Sequence, residues 1–358
     1  MSDMSSGVSS LFTEIHDIVA QEFSIEESFI EYDNPTFYVR LQPDSKQAFL
    51  RLIQRLDRIG YVPILRRKGT DVVLRVVRKP PTTPSSWIIN AILFFATIGT
   101  TLATGYMLSS EWVERGLMSD PMIGAAMFTL AIMTIFGTHE MAHKFAARKH
   151  RIEASYPYFI PGPPLPFGIG TFGAVIRQKS LAPNKDALFD LGVSGPIIGF
   201  ITTILVTIIG VQLSVSIPIS EVPPGTPLLP VPLAFRLIAT FFPPMGSGEV
   251  TWLHPVAFAG WVGMLVTMLN LMPTGTLDGG HAVRGLLGER ARSILSIVSI
   301  AVLFILGHYL MAILALFLSL QRHPGPLDDV SGLTLSRKIV ALSLVAIFIL
   351  TAAPVWHF

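Results

Sequence analysis

An uncharged, mostly apolar run of eighteen residues, Pro121 to Thr138, leads without a break into His139-Glu140-Met141-Ala142-His143. No other stretch narrows the possible folds so far. A run of that length can cross the hydrocarbon core of a bilayer as a helix, where every backbone polar group must find its partner inside the protein. Ionisable groups at the end of such a span are costly and mark function. Residues four apart on a helix stand one above the other, so His139 and His143 present two nitrogens to one point, with Glu140 beside them. Two neutral nitrogen ligands, an open position and a carboxylate acting as general base are the parts of a zinc hydrolase site. The bland alternative makes the histidines interfacial side chains and pairs Glu140 with a lysine such as Lys144. The cost of burying ionisable groups in lipid weighs against it.

The rest of the chain agrees with a membrane setting. Of 358 residues, 51% are hydrophobic and 14% charged, and the mean hydropathy is +0.57, values that belong to a polytopic membrane protein. A net charge of +2 gives no bulk electrostatic basis for nucleic-acid binding. The absence of cysteine excludes disulfides, thiolate ligands and a cysteine nucleophile. A zinc site must then be built from His, Asp and Glu. The first residues contain acids and lack the basic and apolar regions of a signal peptide, so the amino terminus is expected to be mature and cytoplasmic.

The expected fold class is mainly α: a polytopic bundle of about six or seven transmembrane helices with a small amino-terminal α+β domain facing the cytoplasm. Residues 1–79 have soluble composition. Leu11 to Glu22 reads as an amphipathic helix, and Phe29 to Tyr32 and Thr36 to Leu41 as strands about an Asp33-Asn34-Pro35 turn. A second helix carries Phe49, Leu52, Ile53, Leu56 and Ile59 and ends before Gly60. Tyr61 to Leu65 and Val72 to Val77 then form a hairpin about Lys68-Gly69. No reactive constellation is visible there, and His16 reads as a helix surface residue. Residues 80–86 form a proline-rich linker, 87–335 the membrane core, and 336–358 an additional span.

Charge orients the core. Arg66, Arg67, Lys68, Arg75, Arg78 and Lys79 precede the first span, which starts at Trp87, and Lys144, Arg148, Lys149 and Arg151 follow the second. The positive-inside rule puts both clusters, and the His139 end of the second span, in the cytoplasm. The expected location is a prokaryotic cell membrane. Residues 152–185 are broken by prolines, and Phe167 to Ile176 is glycine-spaced and strand-like. It is expected either to dip into the membrane under protein cover or to lie on the headgroups. Leu188 to Ser214 is the third span; Gly192, Gly195 and Gly199 in it permit close helix approach. A short amphipathic stretch covers Ala234 to Phe242, and His254 to Met272 is the fourth span. Ser293 to Gln321, broken at Gly307-His308, suits a hairpin of two short helices, and a last span runs from Ile339 to Ala353.

Two histidines need at least one further ligand. His254 falls on the far side and His308 in the hairpin bend. Asp278 arrives at the same face as His139, because the fourth span runs inward, and Pro273, Gly275, Gly279 and Gly280 allow an unwound turn to aim it back. Asp278 also suits a helix N-cap; as a carboxylate, a standard zinc ligand, it is favoured for the metal. His281 is read as structural or as support for a ligand.

The pairing of His139-Glu140-x-x-His143 with Asn270-x-x-Pro273-x-x-x-Leu277-Asp278-Gly279 resembles the site-2 protease family of intramembrane metalloproteases. The likeness covers residues 87–335, including Gly170 to Gly173, Gly195-Pro196 and Pro324-Gly325-Pro326-Leu327-Asp328-Asp329. It implies Zn2+ held by His139, His143 and Asp278, Glu140 as catalytic acid and base, and Asn270 positioning substrate or stabilising the oxyanion. It implies a membrane-anchored protein substrate cleaved within a transmembrane segment in the lipid bilayer. No PDZ-like insertion or carboxyl-terminal nucleotide-binding pair is present, and the sequence fixes no oligomeric state. The competing classes are a membrane metal carrier and a non-proteolytic scaffold.

Overall fold

In the computed structural model, residues 2–82, 84–223, 225–226, 229–275, 277–305, 309–320, 324–352 and 354–355 are described. The chain begins with α1 (Ser2–Ala20), β1 (Ser24–Glu31), β2 (Asn34–Arg40), α2 (Ser45–Asp57), β3 (Tyr61–Lys68) and β4 (Asp71–Arg78). The strands form one antiparallel sheet in the order β1-β2-β4-β3. The first hairpin turns on Tyr32 and Asp33, with φ of 49° and 61°, one residue earlier than the expected turn. A two-residue hairpin needs left-handed backbone at both central positions, which proline cannot adopt; Pro35 is therefore already in the strand, paired with Ile30.

Alternation in β4 buries Val72, Leu74 and Val76 against Ile15 and Val19 of α1 and Phe49, Leu52 and Leu56 of α2. Each such side chain contributes about 1.5–3 kcal/mol on full burial. His16 is only half turned out: its ring lies 6.0 Å from that of buried Phe37. One member of this core comes from far along the chain. Leu327, 6% exposed, completes it.

The remainder comprises α3 (Trp87–Glu114), α4 (Pro121–Lys149), β5 (Tyr158–Pro161), β6 (Thr171–Val175), α5 (Lys185–Leu213), β7 (Val215–Ile217), β8 (Val231–Pro232), α6 (Leu233–Phe241), β9 (Val250–Trp252), α7 (Pro255–Leu271), α8 (Asp278–Leu287), α9 (Glu289–Ile305), α10 (Tyr309–Ser319), α11 (Leu335–Ala352) and β10 (Pro354–Val355). The molecule is mainly helical, and among the described residues α3, α4, α5 and α11 are long and apolar enough to cross a membrane. The expected count of six or seven spans rests, beyond these four, on shorter helices. The 17 residues of α7 and of α9 and the 11 of α10 reach roughly 26 and 17 Å at 1.5 Å per residue, against a hydrocarbon core of about 30 Å. Helices α9 and α10 pack against each other, as a hairpin requires; its expected bend at Gly307-His308 lies outside the described residues.

Two features position the site. Helices α4, α5 and α7 pack together, and between α4 and α5 the chain forms a β5–β6 hairpin on α3. Thr100 Oγ1 donates to the Gly170 carbonyl at 2.6 Å, and Phe159 meets Phe94 edge-on at 5.3 Å. The strand is shorter than the expected Phe167 to Ile176, since Phe167 and Gly168 turn back on the Pro164 carbonyl.

Candidate active site

Helix α4 carries His139 and His143 on one face, and their Nε2 atoms lie 3.1 Å apart. Asp278, the first residue of α8, brings Oδ2 to 3.1 Å from His139 Nε2 and 3.2 Å from His143 Nε2. Three donor atoms thus form a near-equilateral triangle. The N-cap alternative for Asp278 is not realised: the cap falls on Leu277, and the aspartate side chain turns to the imidazoles. Asn270, at the end of α7, places Nδ2 3.4 Å from His139 Nε2. Glu140 Oε1 is 3.9 Å from the same nitrogen, and the cavity it faces is walled by Ile176, just beyond β6. His139, Glu140 and His143 are all buried.

The imidazoles are oriented from behind. His143 Nδ1–H donates to the Leu191 carbonyl of α5 at 2.7 Å, which leaves Nε2 with a free lone pair directed at the triangle. Two glycines one helical turn apart on α5 make room for the rings. A Cβ at Gly195 would lie 2.1 Å from His143 Nε2, and one at Gly199 would lie 2.7 Å from His139 Nδ1. The proposed partner of Glu140, Lys144, is engaged elsewhere: its Nζ binds the Ala154 carbonyl and lies over the Tyr156 ring.

A cavity of about 220 Å³ opens onto the cluster, with Ala174, Val175 and Ile176 on one wall and Leu277 and His281 on another. His254 is elsewhere, capping α7 through Val256 N–H at 3.2 Å and edge-on to Trp112; His308 lies outside the described residues. Sequence reasoning had marked the glycines for close helix packing, but not that they face the imidazoles. The shared four-residue spacing of Gly195/Gly199 and His139/His143 is the signal that could have paired them. Nothing local marks the Leu191 carbonyl.

Does this cluster fit a metal ion? Zinc bound at about 2.0–2.1 Å by nitrogen and oxygen in a tetrahedron has ligand atoms roughly 3.3 Å apart. The edges of 3.1, 3.1 and 3.2 Å here are close to that figure. The lone pair of His143 Nε2 faces the Asp278 carboxylate oxygen at 3.2 Å, two acceptors that cannot bond each other and are well arranged around a cation. His139, Glu140 and His143 form a group positioned to hold a metal ion.

Apolar spanning helices around a buried cluster of two histidines and two carboxylates define a membrane protein with a metal-competent centre. Residues 127–314, more than half of the chain, match Peptidase family M50, and the chain belongs to that family, the site-2 protease family. It is 30% identical over 327 residues to the "probable zinc metalloprotease EGY1, chloroplastic" of Arabidopsis thaliana, an alignment covering 81% of this chain and 58% of that protein. It is likewise 30% identical to the protein of that name from Oryza sativa subsp. japonica, covering 81% and 54%. The probable zinc metalloprotease EGY2 of Oryza sativa subsp. indica is 29% identical, over 65% of this chain and 42% of its own length. The chain thus spans little more than half the length of the first two relatives. No solved structure matches it significantly.

Proposed function

We propose that the protein is a zinc-dependent intramembrane endopeptidase that hydrolyses peptide bonds within transmembrane segments of membrane-anchored proteins. The observation that carries this is the triangle of His139 Nε2, His143 Nε2 and Asp278 Oδ2 beside the buried, lysine-free carboxylate of Glu140. These three side chains would hold Zn2+, whose chemistry when bound is to polarise a carbonyl and acidify a water. Glu140 takes the proton of the attacking water and delivers it to the leaving amine. Asn270 Nδ2 donates to the oxygen that gains charge as the carbonyl becomes tetrahedral.

A substrate helix has its amides locked in intrahelical bonds and must be unwound before it can react. Strand β6 pairs with β5 along one edge and continues into the cavity wall, so its other edge can receive the unwound segment by strand addition. If proline at Phe172 or Val175 leaves cleavage of a full helix and of an unfolded peptide equally intact, this docking mode is wrong. Residues 1–79 are assigned as a separate domain, 80–86 as a linker, 87–335 as the catalytic core of a six- or seven-span bundle, and 336–358 as the added span. The basic residues flanking the first two spans support an orientation with that domain and the catalytic end on the cytoplasmic face; the expected prokaryotic membrane has no support from the relatives, whose names print a chloroplast. A carrier has no use for a general base, which disfavours that alternative.

The test is metal content and cleavage of a single-span substrate by detergent-purified protein. Wild type should hold about one zinc per chain, as a three-ligand site predicts. Glu140→Gln should keep the metal and lose about 100- to 10,000-fold in rate, the usual share of general acid–base catalysis, whereas Asp278→Asn should lose the metal. Full cleavage by Glu140→Gln, or a wild type without zinc, overturns the proposal.

A further inference from the structure

A line of contacts runs from β3 toward the turn that precedes Asp278. The segment from Pro324 to Ser331 runs as a strap between two parts of the molecule. On one side Leu65 N–H in β3 donates to the Leu327 carbonyl at 2.9 Å, and Asp329 N–H donates to the Leu65 carbonyl at 3.2 Å. Arg66 Nη1 reinforces this, donating to the Leu327 carbonyl at 2.8 Å. On the other side Leu327 N–H donates to the Ala182 carbonyl at 2.8 Å and Asp328 N–H to the Pro183 carbonyl at 3.0 Å, just ahead of α5. The Leu327 side chain sits in the core formed by residues of α1, α2 and the sheet.

From the strap an ionic chain runs to the turn that aims Asp278. Asp329 takes the guanidinium of Arg284, on α8, with both oxygens, at 3.0 and 2.6 Å. Gly325, at φ 70°, passes so close that a Cβ there would lie 2.6 Å from Arg284 Nη2. Arg284 Nε lies 3.1 Å from a Glu289 oxygen, an ionic contact without hydrogen-bond geometry, Glu289 binds Arg292 at 2.6 Å, and Arg292 Nη1 donates to the Gly275 carbonyl at 3.4 Å. Ser296 Oγ holds the Pro273 carbonyl in the same turn at 2.7 Å. Arg284 and Arg292 are 6% and 3% exposed, and a buried guanidinium is tolerable only with its carboxylates in place. The forked pairs Asp329–Arg284 and Glu289–Arg292 fix direction as well as distance.

We propose that Asp329 is a positioning residue for the metal ligand Asp278, acting through Arg284, Glu289 and Arg292, and that the amino-terminal unit holds the strap in register so that its docking sets how firmly the metal is retained. This rests on the metalloprotease assignment above. The turn before Asp278 contains Pro273 and Gly275 and, among the described residues, is tied internally by short-range bonds such as Leu277 N–H to the Thr274 carbonyl at 3.1 Å, which leave its direction relative to α9 open. The ionic chain sets that direction from outside.

The experiment measures zinc transfer from the full-length, detergent-purified protein to a chromogenic chelator, alongside thermal unfolding of the metal-free protein. Asp329→Asn should release zinc about 10- to 100-fold faster, the usual effect of losing a group that supports a ligand. Because it leaves the buried Arg284 charge with Glu289 alone, it also lowers the unfolding midpoint. The double variant Asp329→Asn/Arg284→Gln removes that charge and should recover the midpoint while still releasing zinc roughly 10-fold faster; it carries the test if the single variant fails to fold. Zinc release that returns to the wild-type rate together with the midpoint, or that Asp329→Asn leaves unchanged, overturns the positioning role. Leu327→Ala should speed release several-fold, and an unchanged rate overturns the part given to the amino-terminal unit. A wild type that binds no zinc overturns the metalloprotease assignment itself, an outcome distinct from the others.

Discussion

At the scale of single residues, the imidazoles of His139 and His143 show which parts of a site a sequence can disclose. Their facing nitrogens follow from four-residue spacing on a helix, a local property. The approach of Asp278 to the imidazoles was expected from the order of the spans and their charge bias, although its N-cap alternative had to be settled by geometry. The Leu191 carbonyl behind His143 and the glycines under the rings were not legible as partners, because helix rotation about α5 is set by packing against α4 and α7. The glycines yield a sharp prediction. Gly195→Ala puts a methyl group 2.1 Å from His143 Nε2, so the variant should insert and fold but bind zinc at least about 10-fold more weakly, measured by competition with a chelator. Undiminished affinity would mean the rings have more room than the structure gives them.

Among the elements from α3 onward, helix limits were read closely, in the short α6 and α7 as in the long spans, and strand limits less so. Helices α3 and α4 start at Trp87 and Pro121 as expected, with Asp120 capping α4 through Met122 N–H at 2.8 Å. An apolar run longer than a bilayer is thick has one stable solution. The β5–β6 hairpin was recognisable as non-helical from its prolines, but its strand limits depend on pairing between distant residues, which periodicity does not report. The hairpin's turn residues carry the same lesson as Pro35, whose φ moved the β1–β2 turn. The unwound stretch between α7 and α8 is held by α9, and Ser296→Ala would leave the Pro273 carbonyl without that donor. The expected cost is about 1–3 kcal/mol, seen as faster amide exchange confined to the α7–α8 connection. Exchange spread evenly over the protein would assign Ser296 a general packing role instead.

For the molecule as a whole, the amino-terminal unit was legible as α+β and its attachment was not. Lys46 bridges to Asp186 at the start of α5 at 2.5 Å, Lys79 pairs with Asp57 at 2.7 Å and reaches Glu153, and the strap carries Asp329. Burial alone would raise the Asp329 carboxyl, but the hydrogen bonds and charge of Arg284, with Lys185 and Arg66 adding, hold it below its ordinary value. A lowered folded value stabilises the folded state above the unfolded value of about 3.9 and loses that contribution as the pH falls through the folded value. Proteolytic nicking of the strap should therefore be constant from pH 8 to about 5 and rise only below about pH 4; a rise near neutrality would assign the attachment to another group.

The place of Leu327 in a core otherwise built from residues of the first strands and helices also imposes an order on biogenesis. The residues of α1, α2 and the sheet leave the ribosome before the helices that follow them yet are finished later, since their hydrophobic interior waits for a residue translated after α10. Throughout insertion of the intervening helices the outer edge of β3 is an open seam, and closing it is the event that joins β3 to the segment between α10 and α11.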